Sequence, residues 1–181
     1  MTPTEVLKHE HKIVLAVLDG AESEAQNIQA TGAVDTEKVA KILDFLRTFV
    51  DRCHHAKEER ELFPKLQERG MPGDTGPIAV MLHEHTLGRG EVAAIADALD
   101  GFTGGDAAAA APLAAHLLGY AKLLREHIEK ENNVLFVFAD KILTPADQED
   151  LLKAFEAIES GEIGGGVHEQ YHQFAHELMK H

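Results

Sequence analysis

The chain has 181 residues, a formal net charge of −14, twelve histidines, one cysteine and no tryptophan. Its length suits one domain with a sizeable core, and its charge excludes nucleic acid and anionic membrane as partners, because counterion release needs clustered Lys and Arg. A single cysteine rules out an intrachain disulfide framework and a thiolate zinc cage; with no apolar run near the roughly 18 residues of a membrane span and no secretory hydrophobic region in the opening MTPTEVLKHEHK, a soluble cytoplasmic protein, monomer or homodimer, is expected.

The first predicted helix opens at residues 2–5, TPTE, a capping box with proline at the first helical position, and stops at Gly32. Residues three or four apart share a helix face, and the stripe here is Leu7, His11, Leu15, Leu18, Ala25 and Ile28. A second helix starts near Asp35 and runs toward Gly70, with Pro64 bending its end after Phe63; its stripe is Val39, Leu43, Leu46, Val50, His54, Glu58 and Leu62. After the turn-rich residues 70–76, Pro77 opens a third helix to about Asp100, striped by Ile78, Met81, His85, Val92, Ile95 and Leu99. Gly88 and Gly90 cost helix propensity there, which close packing or access to a site would explain. The fourth helix follows Pro112 and reaches Leu143, with Leu113, Leu117, Tyr120, Leu124, His127, Glu131, Leu135 and Phe138 inward. Residues 144–147, TPAD, cap a short fifth helix, residues 164–166 form a glycine hinge, and 167–180 a last helix.

No stretch alternates like a strand. The predicted fold is all-α: an antiparallel four-helix bundle over residues 1–143, with a C-terminal helical extension, 144–181, packed on its outside or end. The stripes carry residues with no cheap reason to face a core. Four histidines on four helices, two of them followed at i+4 by glutamate (His54/Glu58 and His127/Glu131), point to a metal held by nitrogen and oxygen ligands. His9, His83 and His116 lie off the stripes and are expected in solvent, as are Glu10 and Glu84; Cys53 reads as core, Arg89 as a surface ion pair and Tyr120 as a core aromatic. Glu59 competes with Glu58 because it is i+4 from His55, but the apolar register favours Glu58 and leaves Glu59 to pair with a Lys or Arg.

The strings Glu10-His11, HHAKEERELFP (54 to 64), Glu84-His85 with Arg89, and HIEKENNVLF (127 to 136) resemble the hemerythrin-like, or HHE cation-binding, family over roughly residues 4 to 143. The resemblance implies two non-haem Fe ions in a four-helix bundle, bridged by two carboxylates and an oxo or hydroxo group. His11, His54, His85 and His127 are then terminal ligands, and Glu58 and Glu131 bridges. Oxygen-carrying members place two histidines one turn apart on the third helix, whereas this chain has Met81 one turn before His85. His55, about 100° from His54 on the same turn, is the candidate for the fifth histidine. Two six-coordinate irons offer about 12 positions, and this ligand set leaves one open for a small ligand such as O2, peroxide (H2O2) or NO.

The expected function is therefore a di-iron protein that binds small oxygen or nitrogen species, with turnover left open and a metal-stabilised helical interaction module without turnover as the alternative. A rival motif, His168-Glu169-Gln170-Tyr171-His172, matches the H-E-x-x-H of zinc peptidases. Context is against it, since no strand supplies an edge for substrate and His176 is at the wrong spacing for a third ligand. The Glu-x-x-His pairs of ferritin-like enzymes are matched only by Glu169 and His172, outside the bundle.

Overall fold

The structure, a computed structural model, describes the whole chain except residues 163, 165 and 179–181 and the side chains of Val167 and His168. Helix α1 (Pro3–Thr31) begins as its capping box requires. Thr2 Oγ1 accepts from the Glu5 backbone N–H at 3.2 Å while Glu5 Oε2 accepts from the Thr2 N–H at 2.7 Å. It ends where Gly32 takes φ 71°, a left-handed turn that glycine adopts without strain.

The second long helix is composite: α2 (Thr36–Phe45), two π-wound stretches (Leu46–His55 and Glu58–Leu62) and α3 (Phe63–Glu68). It continues past Pro64 to Glu68, close to the expected end at Gly70. Pro64 lacks the N–H for an i−4 bond, and the π turn before it, closed by the Phe63 N–H on the Glu58 carbonyl, absorbs the mismatch so that the helix continues. After α4 (Gly76–Thr103) and a short 3₁₀ turn (Ala107–Ala109), the last bundle helix comprises α5 (Ala110–Lys130), a π turn (Glu131–Leu135) and α6 (Phe136–Ile142). That π turn adds a residue to the repeat and rotates everything beyond it. Leu135 and Phe136 are both buried, and Phe138, expected inward, is 49% exposed. The apolar stretch Ala107–Ile142 is also long enough by composition to cross a membrane, contrary to the sequence expectation, because the alanine run extends it. In the fold its inward side, from Leu113 to Leu135, is core.

Two apolar clusters result. One is built on Val14, Val17, Phe45, Phe49, Ile95, Leu117 and Ile128, the other on Leu7, Leu62, Phe63, Met81, Leu135 and Phe136. Between them lies a polar layer in which His11, His54, His55, Glu58, His85, His127 and Glu131 are all buried.

The C-terminal helices close the structure. α7 (Pro145–Glu162), longer than expected, starts at a second capping box in which Asp147 Oδ2 accepts from the Thr144 N–H and hydroxyl at 2.9 and 2.7 Å. Arg69, just past α3, grips the same carboxylate with two bonds of 2.8 Å. α8 (Val167–Leu178) sets Tyr171 against Phe45 and Phe49, with its hydroxyl donating to Asp44 at 2.8 Å. Gly20 of α1 leaves room for Leu178, whose Cδ1 would lie 2.9 Å from an added Cβ. Gly164 and Gly166, flanking positions of the expected hinge, both have positive φ; Gly165 lies outside the described residues.

Candidate metal centre

Each bundle helix delivers its histidine from a distinct register. α1 supplies His11 and α4 supplies His85 from ordinary helical turns; α5 supplies His127, and the π-wound stretch supplies His54 and His55 together. The extra residue per π turn narrows the angle between consecutive side chains, which is how two adjacent histidines are both buried. All seven residues singled out in the sequence converge. They form two groups, His11, His54, Glu58 and Glu131, and His55, Glu58, His85 and His127, with the donor atoms of each group within 4.8 Å of one another.

The histidines point Nε2 inward. His11 and His54 approach at 3.1 Å between Nε2 atoms, and His85 and His127 at 3.2 Å. Both separations match two nitrogens sharing one ion at roughly 2.0–2.1 Å. The carboxylates connect the pairs. Glu58 turns Oε1 to His54 (3.5 Å) and Oε2 to His85 (3.3 Å), while Glu131 turns Oε2 to His11 (3.1 Å) and Oε1 to His127 (3.2 Å). Even so, all four of these oxygens, with both ring nitrogens of His55, are buried without a hydrogen-bond partner. Buried polar atoms rarely stay unpaired. Cations between the carboxylates would satisfy all four oxygens and one nitrogen of His55, so the donor set fits a metal pair.

Outward, each Nδ1 faces an oxygen. His54 donates to Glu10 (2.7 Å), His11 to Asn132 Oδ1 (2.8 Å), His85 to Glu59 (2.7 Å) and His127 to Glu84 (2.9 Å), while His55 Nδ1 lies 3.5 Å from Asp51. Such partners fix the tautomer, leave the Nε2 lone pair facing in and raise its basicity. Glu10, expected on the surface, is therefore buried, and Glu84 is largely covered. Lys57 and Lys130 close the outer side by donating to Glu10 and Glu84. Glu59 does pair with an arginine, accepting from Arg89 at 2.8 Å, while also holding His85.

Electrostatics follow from this wiring. Burial pushes the His55 imidazole well below its ordinary range, and the neighbouring His85 charge pushes it further. Burial acts the same way on His85 but is outweighed by the nearby Glu58 carboxylate and its bond to Glu59, which lift it to about 9. Glu10 is held at about 2 against its burial by His54 and Lys57. Burial, against the pull of Lys57, drives the Cys53 thiol up to about 12, so it is inert core as expected. Without metal, His127 and His11 hold the buried Glu131 carboxylate well below its ordinary range, a role a cation takes over on binding.

A repeat organises the site. H-x-x-K-E-x-x-x-L-F occurs at residues 54–63 and again at 127–136, and H-E-H at 9–11 and 83–85. Both glutamates of the long motif start a π turn, and both phenylalanines stack on a histidine of the opposite half, Phe63 on His85 (6.1 Å) and Phe136 on His11 (5.6 Å). The supporting groups missed in the sequence, Glu10, Lys57, Glu84, Lys130 and Asn132, all occupy positions of this repeat. His55 breaks it, since its counterpart is Ile128. Met81 is plain core. His9 and His83 are exposed as expected, but His116 is half-buried and donates to Glu91 at 2.9 Å.

Among the described residues, both groupings of three or more potential ligands lie in the bundle centre. The side chain of His168 falls outside those residues. Glu169 is exposed, and His172 packs beside His9 with ring centroids 5.6 Å apart, an arrangement with no substrate edge.

Comparison with known proteins agrees with this geometry. The chain is 23% identical over 164 residues to uncharacterised proteins of Mycobacterium tuberculosis and Mycobacterium bovis, covering 91% of this chain and 64% of theirs. It is 38% identical over 101 residues to the iron-sulfur cluster repair protein YtfE of Edwardsiella ictaluri, 54% of this chain and 45% of that protein. The chain thus spans less than two thirds of the length of these relatives. No solved structure matches it. The hemerythrin HHE cation-binding domain matches residues 2–139, most of the chain and every residue of the site, and the protein belongs to that family.

Proposed function

We propose that the protein is a non-haem di-iron protein that binds O2, peroxide or NO at a free coordination position. His11 and His54 would hold one ion and His55, His85 and His127 the other, with Glu58 and Glu131 shared and an oxo or hydroxo group completing the bridge. The observation that carries this reading is that each glutamate presents its two oxygens to different histidine pairs, with no hydrogen bond to any of the four. Similarity to an iron-sulfur cluster repair protein supports iron as the metal. When bound, the irons supply electrons to the small ligand.

The chain's own contribution is orientation and exclusion. The Nδ1 bonds hold the imidazoles in place, and Lys57 and Lys130 hold the carboxylates that anchor two of them. The rings of Phe63 and Phe136 cover His85 and His11 against water. The test is to reduce the iron-loaded protein anaerobically, mix it with O2, peroxide or NO, and follow absorption. An immediate spectral change that vacuum does not reverse is expected. A spectrum indifferent to all three would favour a metal-stabilised helical module without turnover, and a change that vacuum reverses would make the protein a carrier.

A further inference from the structure

A cavity of about 310 Å³ between the Leu46–His55 stretch, α4 and α5 reaches the histidine layer from outside. Leu46, Val92 and Tyr120 wall it, and Gly88 adds no side chain to narrow it. Its inner end is His55, 4% exposed, whose two ring nitrogens have no hydrogen-bond partner. At its exposed rim Arg89 donates to Asp51 and Glu59, both at 2.8 Å. This single guanidinium therefore ties together the carboxylate beside His55 and the one that holds His85.

The chemistry of the cavity selects among the three candidate ligands. O2 and NO are apolar diatomics that cross packed apolar matter without a dedicated path. Peroxide resembles water, and stripping its hydrogen bonds in an apolar passage is costly for each polar group left without a partner. It needs a wet route. At about 30 Å³ each, roughly ten waters fill a cavity of this volume. Arg47, Asp51 and Arg89 line it, and Arg89 is paired both with Asp51 and with Glu59 just beyond the lining, so the charges about it nearly offset one another and select strongly for neither anion nor cation.

We propose that this cavity is the route by which hydrogen peroxide, a neutral and water-like ligand, reaches the metal pair, with His55 as its inner door. The inference rests on the di-iron reading and names the ligand class of that site. Two variants test it. A Cβ at Gly88 would meet Tyr120 Cε2 at an ordinary 3.6 Å, so Gly88→Leu fills the cavity, and Ala93→Leu narrows the exposed rim without touching the core. In metal-free protein, carbethoxylation of His55 by diethylpyrocarbonate, followed by peptide mass, should slow about tenfold in both variants, while exposed His83 reacts unchanged. In iron-loaded, reduced protein, peroxide should oxidise the variants about tenfold more slowly than wild type, with NO affected less than about twofold. Unchanged His55 labelling with an unchanged peroxide rate overturns the route, and equal slowing of NO overturns its selectivity. Absence of iron in wild type would instead overturn the di-iron reading, and His55 labelling would still decide whether the cavity is the way in.

Discussion

Glu58 and Glu131 are 0% exposed, and their four oxygens are without hydrogen bonds, so metal removal should be visible in stability. A metal that binds only the folded chain, present at a thousandfold over its dissociation constant, adds about 4 kcal/mol. For a chain of this length each kcal/mol moves the melting midpoint by about 2–4 °C, giving a rise of about 8–16 °C on loading. Glu131→Gln should abolish most of that rise, because it removes a charge shared by both histidine pairs. It should also lower the metal-free midpoint, since in the absence of metal the same carboxylate is balanced by His127 and His11, but the further rise on loading is what it removes. The assay is thermal unfolding followed by circular dichroism, with chelator and with anaerobic Fe(II), for both proteins. A wild-type midpoint indifferent to metal, or a full rise preserved in Glu131→Gln, would refute the reasoning.

The repeat places Lys57 and Lys130 equivalently but in different surroundings. Lys57→Met strands a buried carboxylate and should cost about 3–5 kcal/mol in denaturant unfolding, whereas Lys130→Met, at a site 42% exposed, should cost less than about 1 kcal/mol. His55→Ala should leave a folded bundle that holds one of its two irons more weakly; full occupancy with an unchanged oxidised spectrum would remove His55 from the ligand set. Asp147 is depressed below its ordinary 3.8, chiefly by Arg69. Its contribution is complete above that pH and is lost as pH falls through the native value. Arg69→Ala should therefore melt lower than wild type at pH 7, and the gap should close as pH drops below 3.8.

Much of the site was legible because helix periodicity is strict. Histidines and glutamates in line with Leu7, Leu62 or Leu124 had to face the same interior as those leucines, and the seven residues do converge. What sequence periodicity could not show was the π winding, which departs from 3.6 residues per turn at Glu58 and Glu131 and so sent Phe138 outward while burying Phe136. The supporting carboxylates were hidden for a related reason. Glu10 lies beside His11 in sequence but holds His54 across the bundle, and Glu84 holds His127 rather than His85. A single-helix wheel assigns both to solvent; only aligning the two halves of the chain with each other exposes their role.

Iron content is the most direct test of the central claim. Protein produced with ample iron and purified without chelator should carry about two irons per chain by elemental analysis, and Glu58→Ala, which removes a carboxylate common to both groups, should lose both together. One zinc and no iron per chain after iron-replete expression would contradict the account.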